Sequence, residues 1–384
     1  MEHYNPIFSK VPTLRFAEFT DEWGKYELSH FVTRITRRNK NNESSLPLTI
    51  SAQYGLVDQI SFFNKTVASV DLSGYYLLYN GDFAYNKSYS NDYAWGAVKR
   101  LDKYEKGCLS SLYFVFRPND NIDSDYLTHY FESSKWHKGI SNIAGEGARN
   151  HGLLNMAVDD YFATKHYLPS LPEQKKIARV FNAITRRIGI QNKIIEDLKV
   201  LKKELNYSLI GRIINGKSSN CKIEDVIDYE QPTNYIVKSD KYIENGETPV
   251  LTANKAFLLG YTIENEGVYN KSDCIILDDF TLDFKYVNFP FKIKSSAIKI
   301  LTAKKDIELR YFYEYLLFLG LTSHEHKRHY ISEIAPLPLY LPSIDEQRSA
   351  LSALNSISEK IKVEENYIIA LKAQKCFFLR TMFI

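Results

Sequence analysis

The sequence predicts an α+β fold in which two mixed α/β domains are separated by two long helices. Three observations lead to this prediction. A segment of 44 residues occurs twice, weaker matches precede both copies at a similar offset, and each copy has heptad-like apolar spacing. Two related helices in one chain can pair with each other, so we expect an antiparallel coiled coil with a pseudo-two-fold internal repeat.

The repeat is clearest where each copy begins. Residues 167–174 read YLPSLPEQ and residues 340–347 read YLPSIDEQ, at an offset of 173. Aligned without a gap, the two 44-residue copies share 13 positions, whereas average composition would give about 3 by chance. This segment is therefore a genuine duplication.

Weaker matches precede both copies. The string YNKS at 85–88 recurs at 269–272, and Tyr126 recurs as Tyr311 at a nearly constant offset. Their shared order extends the repeat to the segment before each helix. The chain is therefore predicted to contain a first domain over 1–166, a first helix over 167–216, a second domain over 217–339 and a second helix over 340–384.

Both domains have the patterns of mixed α/β structure. Runs rich in β-branched and aromatic residues, bounded by turn residues, predict strands at 74–80, 112–117, 274–277 and 297–301. Short helices are predicted over 123–133 and near 308–319. Polar loops rich in Asn and Gly are predicted at 37–45, 86–92, 145–152 and 265–273.

Each long helix should begin at the repeated motif. The pairs Ser170–Glu173 and Ser343–Glu346 fit the capping box, in which each side chain satisfies the other residue's free backbone N–H. The first helix should end near residues 215–216, because Asn-Gly is a natural C-terminal stop. The second should run to the end of the chain.

The heptad-like spacing predicts that the two helices pack against each other. Polar residues interrupt it at equivalent positions, Gln191 and Glu364 in one slot and Lys202 and Lys375 in another. Either the heptads are imperfect with exposed polar ends, or these residues fix the register. In the second case Gln191 faces Lys375 and Lys202 faces Glu364. The residue numbers of each facing pair then add to 566. The predicted coiled-coil residues are Ile184, Ile188, Gln191, Ile195, Leu198, Lys202, Leu205, Ile357, Ile361, Glu364, Ile368, Leu371, Lys375 and Phe378.

The composition excludes several classes of protein. No apolar run approaches the roughly 18 residues of a membrane span, and no secretory signal is visible at the start. The four cysteines are too far apart for a zinc knuckle or a compact disulfide framework, which indicates a reduced, cytoplasmic protein. The net charge of +3 is by itself weak evidence for a nucleic-acid partner.

The loops carry side chains suited to DNA recognition. Direct base readout uses Arg or Lys for guanine and Asn or Gln for adenine, and Lys, Arg, Ser and Thr contact phosphates. Any one of these residues could be an ordinary surface residue, so the prediction concerns the set. The candidates are Arg37, Arg38, Asn41, Lys87, Ser88, Asn91, Arg149, Asn150 and His151 in the first domain, and Asn254, Lys255, Asn270, Lys271, Lys294, Lys327, Arg328 and His329 in the second.

Motifs for catalysis are missing. An adenine methyltransferase needs a Gly-rich cofactor loop and an Asn/Asp-Pro-Pro-aromatic motif, and the nearest string, NFPF at 288–291, lacks the first proline. The string at 324–329 is not the zinc motif HExxH, because Arg328 occupies the place of the second histidine. The string DFK at 283–285 imitates part of a nuclease site, but strings this short often arise by chance. We therefore predict no catalytic residue and no metal site in this chain.

At the paired LPSxxEQ helix starts, each preceded by a variable domain, the chain resembles the specificity subunits of Type I restriction–modification systems. The resemblance implies that 1–166 and 217–339 are target recognition domains for a bipartite site in double-stranded DNA. It also implies two methyltransferase subunits and restriction subunits as partners. S-adenosylmethionine, ATP and Mg would then be bound by those partners, and no cofactor by this chain. One departure is Asp345, which stands where the first motif has Pro172.

Two alternatives remain open from the sequence. The chain could be a scaffold or DNA-recognition subunit of another DNA-modification or defence complex. It could also be a stand-alone methyltransferase or nuclease, although the missing motifs argue against this. Tight binding of S-adenosylmethionine by the isolated chain would favour the enzyme.

Overall fold

The fold is seen in a computed structural model that describes residues 10–65, 68–69, 71–90, 93–145, 152–254, 256–323, 325 and 327–384. Contacts within the chain divide it into two units. The first unit comprises Met1–Gln191 and Tyr367–Ile384, and the second comprises Asn192–Asn366. Each unit therefore contains one compact α/β region and part of each long helix.

The first unit contains ten strands, five short helices and the start of a long helix among its described residues. Its elements are β1 (Gly24–Glu27), α1 (Leu28–Phe31), β2 (Val32–Arg34), β3 (Pro47–Ser51), β4 (Gly55–Asp58), α2 (Gln59–Phe63), β5 (Tyr76–Tyr79), β6 (Phe83–Asn86), β7 (Ala97–Arg100), β8 (Lys106–Leu109), β9 (Phe114–Pro118), α3 (Ser124–Glu132), α4 (His137–Ile143), α5 (Val158–Phe162), β10 (Lys165–Leu168) and the long helix α6 (Leu171–Ile214).

The strands of the first unit form two four-stranded sheets and a two-stranded ribbon. One sheet has the order β2-β9-β6-β7 and is antiparallel throughout. The other has the order β4-β3-β8-β5, with β3 and β8 parallel. The ribbon pairs β1 with β10. Aromatic rings fill much of the core, and Tyr85 and Tyr161 stack with their centroids 4.8 Å apart.

The second unit continues from the end of α6. Its elements are β11 (Cys221–Lys222), α7 (Ile223–Val226), β12 (Ile227–Glu230), β13 (Thr248–Leu251), β14 (Leu258–Thr262), β15 (Cys274–Asp278), β16 (Phe284–Val287), β17 (Lys292–Ile293), β18 (Ile298–Ala303), α8 (Leu309–Leu319), β19 (Pro338–Leu339) and the long helix α9 (Ile344–Thr381).

The two units share one topology. The sheet β12-β18-β15-β16 matches β2-β9-β6-β7 strand for strand, and β14-β13-β17 matches β4-β3-β8 with the same parallel pair. The ribbon of β11 and β19 corresponds to that of β1 and β10. Among the described residues, β5 has no counterpart in the second unit. The predicted repeat is therefore confirmed for the domains, where the sequence match is weak, as well as for the helices.

The predicted elements of the domains are confirmed. Strands β5, β9, β15 and β18 overlap the four segments predicted to be strands, and three of them extend one or two residues further. Helices α3 and α8 lie in the two predicted short helices. Within the described ranges, none of the helices is long and apolar enough to span a membrane.

The two long helices run antiparallel within each unit. In the first unit, Phe181 near the start of α6 stacks on Phe383 beyond the end of α9, with ring centroids 5.5 Å apart. In the second unit, Ile210 near the end of α6 shares a hydrophobic core with Ala350 near the start of α9. None of the fourteen predicted coiled-coil residues, all of which the structure describes, is exposed. The heptad spacing therefore identified the packed face of both helices.

The two predicted capping boxes have different outcomes. At the start of α9, Ser343 N donates to Glu346 Oε2 at 2.9 Å and Glu346 N donates to Ser343 Oγ at 3.4 Å, which confirms the box. At the start of α6, the carboxylate of Glu173 instead accepts two hydrogen bonds from Arg15, at 2.7 and 2.8 Å. The predicted Ser170–Glu173 box is therefore wrong, because a residue distant in sequence takes the carboxylate.

The predicted polar pairs across the coil are also wrong. Lys202 on α6 forms an ion pair with Glu314 of α8 at 2.9 Å, and Lys375 on α9 forms one with Glu132 of α3 at 2.8 Å. Each instead joins a long helix to the short helix of a domain.

The predicted register of the coil does not hold. Facing numbers that add to 566 would place Arg187 opposite Leu379. The Arg187 guanidinium instead lies 5.2 Å from the ring centroid of Tyr367. Tyr367 and Leu379 are twelve residues apart, which corresponds to about 18 Å along a helix. An arginine side chain opposite Leu379 could not reach Tyr367 over that distance.

Candidate nucleic-acid interface

Asp82 is a buried carboxylate that fixes two arginines at the surface of the first unit. Its Oδ2 accepts hydrogen bonds from Arg37 Nη2 at 2.9 Å and from Tyr79 N at 2.8 Å, and its Oδ1 accepts one from Arg117 Nε at 2.6 Å. Arg37 also donates to Leu77 O at 3.0 Å and lies 4.2 Å from the ring centroid of Tyr79. The predicted DNA-binding residue Arg37 thus has much of its guanidinium engaged within the fold.

Arg117 was missed by the sequence prediction. Its side chain is 48% exposed, and its Nη1 and Nη2 atoms have no hydrogen-bond partner among the described residues. It lines an open groove of about 740 Å³ formed by residues 33–37 and 117–120. In the part of the chain that the structure describes, β2 is the edge strand of its sheet, and no further strand pairs with it on that side.

Arg38 and Asn41 lie in the segment that follows β2. Arg38 Nη1 donates to Gly74 O at 2.7 Å, and the guanidinium lies 4.2 Å from the ring centroid of Tyr76, so this side chain also packs on the domain. Asn41 is exposed and has a φ of 61°, a left-handed conformation that asparagine tolerates better than most residues. Its amide is available to a ligand.

Lys87 and Ser88 follow β6. The Lys87 ammonium lies 4.7 Å from the ring centroid of Phe114, and burial lowers the pKa of this lysine. Ser88 is exposed, and its backbone N donates to Asn86 Oδ1 at 2.9 Å. Of this pair, Ser88 is the more accessible.

Five of the predicted DNA-binding residues lie outside the described residues. They are Asn91, Arg149, Asn150, His151 and Lys255.

In the second unit, Asn270 and Lys271 line a small cleft of about 140 Å³ formed by residues 269–273 and 288–290. Lys271 Nζ donates to both carboxylate oxygens of Glu230, at 3.0 and 2.9 Å. Hydrogen bonding with Tyr235 and Glu230 raises the pKa of Lys271. Asn270 is exposed, whereas the charge of Lys271 is partly offset by its partner.

Two other basic candidates of the second unit are also engaged. Lys294 forms an ion pair with Asp240. Lys327 Nζ lies 2.7 Å from Glu325 and 2.8 Å from Glu333. Ion pairs between exposed side chains are weak, so a phosphate could displace them.

Arg328 and Asn254 are exposed. The Arg328 guanidinium lies 5.7 Å from the ring centroid of Phe280. Asn254 accepts a hydrogen bond from Ala256 N at 3.0 Å through its side-chain oxygen. Both side chains keep donors that a ligand could use.

His329 does not fit a DNA-binding role in this structure. Its side chain is 4% exposed, and its Nδ1 lies 2.7 Å from Glu333 Oε2 while its Nε2 lies 2.9 Å from Ser323 Oγ. The hydrogen bond with Glu333 raises the pKa of His329. This part of the prediction is wrong, because the ring packs inside the domain and its two nitrogens are used there.

The long helices expose apolar side chains as well as burying them. On α6 these include Ile190, at 52% exposure, and Leu201, at 51%. On α9 they include Val363 and Ile369, at 57% and 64%. Ile190 and Val363 occupy the same position of the repeat. The two helices therefore present an apolar residue to solvent at one equivalent place.

The described residues contain no cluster of three or more His, Cys, Asp or Glu side chains that could hold a metal ion.

Curated relatives of this chain are specificity subunits. The EcoR124I/EcoR124II Type I restriction enzyme specificity subunit of Escherichia coli is 40% identical over 139 residues, which cover 35% of this chain and about a third (34%) of that protein. The putative Type I restriction enzyme MjaX specificity subunit of Methanocaldococcus jannaschii is 21% identical over 91% of this chain and 89% of its own length. No family model matches the chain.

Solved structures share the fold over nearly the whole chain. The S subunit of a Type I restriction–modification system from M. genitalium has a TM-score of 0.56 at 15% identity, covering 97% of this chain and 99% of its own. A chain from a study of complex assembly in the Type I R-M system has a TM-score of 0.53 at 17% identity, covering 93% and 96%. The resemblance found in the sequence is confirmed: the chain is similar, in fold over almost its full length and in sequence over part of it, to the specificity subunits of Type I restriction enzymes.

Proposed function

We propose that this chain is the non-catalytic subunit that recognises a bipartite DNA target in a Type I restriction–modification complex. One observation carries the proposal. A domain of one topology, followed by a long helix, occurs twice in this chain. The curated relatives that it matches are named as specificity subunits. Two domains of one topology suit a protein that reads two separate half-sites.

The two domains should read different half-sites. Their side chains differ at equivalent places: Lys87 is half-buried over an aromatic ring, whereas Lys271 is exposed and paired with Glu230. Base specificity depends on the individual side chains that reach the grooves. Similar folds with different surfaces therefore give two different sequences in one target.

The long helices are proposed to bind the partner subunits. Neighbouring exposed apolar residues on a helix suit a surface for another protein, and Ile190 and Ile194 are one turn apart on α6. Val363 repeats the exposed apolar position of Ile190 on α9. A surface that occurs twice suits two copies of one methyltransferase subunit. These partners, together with restriction subunits, would bind S-adenosylmethionine, ATP and Mg, and the whole assembly would work in the cytoplasm.

Exchanging one domain tests this proposal. Residues 217–339 would be replaced by the corresponding segment of a related chain, and the methylated sites in cells with the original and exchanged chains would be compared by methylome sequencing. One half-site should change while the other stays the same, because each domain reads its own half-site. A change in both half-sites, or in neither, would show that recognition is not modular.

A further inference from the structure

We propose that Arg117 is a specificity-determining residue that binds the major-groove edge of a guanine in one half-site, and that Asp82 is its positioning residue. The proposal rests on the DNA-recognition function proposed above. It concerns a residue that neither the repeat nor the loop composition singles out.

The Arg117 guanidinium is held in one orientation. Arg117 lies on β9, an inner strand of its sheet, and its Nε donates to the fully buried carboxylate of Asp82 at 2.6 Å. This bond fixes the side of the guanidinium that carries Nε. The two Nη atoms remain, and an arginine can present two parallel N–H donors to the O6 and N7 acceptors of guanine.

A ligand can reach this pair of donors. Arg117 lines the open groove beside edge strand β2, and its side chain is about half exposed. Thr33, directly opposite Arg117 in the ladder, donates its hydroxyl to Asn119 Oδ1 at 2.6 Å. The groove therefore has polar side chains beside Arg117.

Three arginines, Arg34, Arg37 and Arg117, line the groove, and Asp120 is the one carboxylate among its lining residues. Arg34 also lies 3.7 Å from the carboxylate of Asp159. Asp82 lies beneath the groove and offsets one positive charge of the Arg37–Arg117 pair. The two arginines therefore provide hydrogen-bond donors in fixed directions more than a general positive charge.

The position of Arg117 on the sheet is rigid, and rigidity distinguishes base reading from phosphate contact. A site on a strand, held by a buried partner, is positioned more precisely than one on a loop. Phosphates can be contacted by mobile lysines, because charge alone suffices. Arg37 has already used Nε and one Nη on Leu77 and Asp82, so the free pair of donors belongs to Arg117.

The experiment uses the complete methyltransferase assembly in cells, with Arg117→Gln and Arg117→Lys variants. The lysine variant keeps the positive charge beside Asp82 and removes the paired donors. Methylome sequencing should show that one guanine position of one half-site loses its preference by about 5- to 150-fold in both variants, the range for a bidentate arginine–guanine contact. The other half-site serves as an internal control and should not change.

Lys106→Gln is the matched control, because Lys106 is an exposed residue on β8 in the other sheet of the same unit. It should leave both half-sites intact. Unchanged preferences in the Arg117 variants would overturn the proposal. The proposal would also be overturned if Arg117→Gln weakened methylation of an unchanged sequence and Arg117→Lys restored it, because that result would assign Arg117 to a phosphate contact. Complete loss of methylation in Arg117→Lys would assign Arg117 to the stability of the sheet and also overturn it. Failure of the unaltered chain to direct methylation to any bipartite site would instead overturn the proposed function.

Discussion

Glu173 and Glu346 occupy the same position of the repeat, yet their carboxylates have different partners. Glu173 is 1% exposed and paired with Arg15, whereas Glu346 is exposed and caps its own helix. Glu173→Ala should lower the free energy of unfolding by about 3–5 kcal/mol, because it leaves Arg15 unpaired at a largely buried site. Glu346→Ala should cost about 0.5–2 kcal/mol, the value of a helix cap. Urea titration of the two variants checks this, and equal losses would contradict it.

His166 should make stability depend on pH. Burial lowers its pKa to about 4, and its nitrogens lie 2.8 Å from Tyr130 Oη and Thr164 Oγ1. Because the unfolded chain binds a proton near the usual pKa of 6.5 and the folded chain does not, this contribution is complete above pH 6.5. It is lost as the pH falls from 6.5 to 4, by about 3 kcal/mol in all.

The measurement is the free energy of unfolding between pH 4 and 7 for the original chain and for His166→Gln. The variant should have the flatter profile in that window. His30→Gln is the control, since His30 is exposed. An unchanged slope in His166→Gln would remove this histidine as the cause.

Single residues of the DNA-facing set could be predicted only in part. Arg37 was chosen because it lies in a basic segment, but its guanidinium is bound to Asp82, which is 45 residues away. Arg117 was overlooked because it ends a run predicted to be a strand. His329 belongs to a histidine-rich string and is nevertheless buried. For the two arginines the decisive partner, Asp82, is distant in sequence. For His329 the burial depends on how the domain packs, and local composition carries no information about either.

At the scale of elements, the glutamine of the repeated motif joins each long helix to the short helix of its domain. Gln174 Oε1 accepts a hydrogen bond from Asp123 N at 2.8 Å, and Gln347 Oε1 accepts one from Glu308 N at the same distance. Both backbone N–H groups lie at the start of a short helix, where donors lack partners within the helix. This contact accounts for the glutamine in both copies of the motif. Capping of the helix start alone does not account for it.

Replacing that glutamine should therefore loosen a helix contact. Gln347 is fully buried and also donates to Asp306 O and Pro342 O, both at 3.0 Å. Gln347→Ala should lower the free energy of unfolding by about 1–3 kcal/mol, because buried polar groups lose their partner. Gln374→Ala, at an exposed position of α9, is the control and should be nearly neutral. Urea titration gives both values, and a neutral Gln347→Ala would show that the contact is dispensable.

Elements differed in how well the sequence predicted them. The long helices were predictable because the apolar spacing persists for about 40 residues, and their observed bounds, Leu171–Ile214 and Ile344–Thr381, lie within the predicted segments. Most short strands were not, since strands of two to five residues, such as β11 and β17, leave too little periodicity to recognise. The register of the coil failed because several heptad alignments bury the same apolar residues.

At the scale of the whole molecule, the duplication extends to parts whose sequences have diverged. The topology of the two units agrees strand for strand except at β5, although the sequence match before the helices is limited to short strings such as YNKS. Topology depends on the pattern of apolar residues and turns, which many sequences satisfy. The surface, where recognition takes place, is free to vary on this common frame.

The long helices are predicted to set the spacing between half-sites. Each has residues in both units. Inserting seven residues after Gln191 and seven after Glu364, which are equivalent positions of the repeat, keeps the apolar seam in register. Each helix becomes about 10.5 Å longer, at 1.5 Å per residue, and this corresponds to about 3 base pairs of B-DNA at 3.4 Å each. The rotation that accompanies a given length differs between the DNA helix and the coiled coil, so the affinity for DNA should fall.

Methylome sequencing of cells with the doubly lengthened chain should show the same two half-sites with a longer spacer. Lengthening only one helix breaks the seam and should abolish activity. An active double insertion that kept the original spacer would mean that the helices bind partners without measuring DNA.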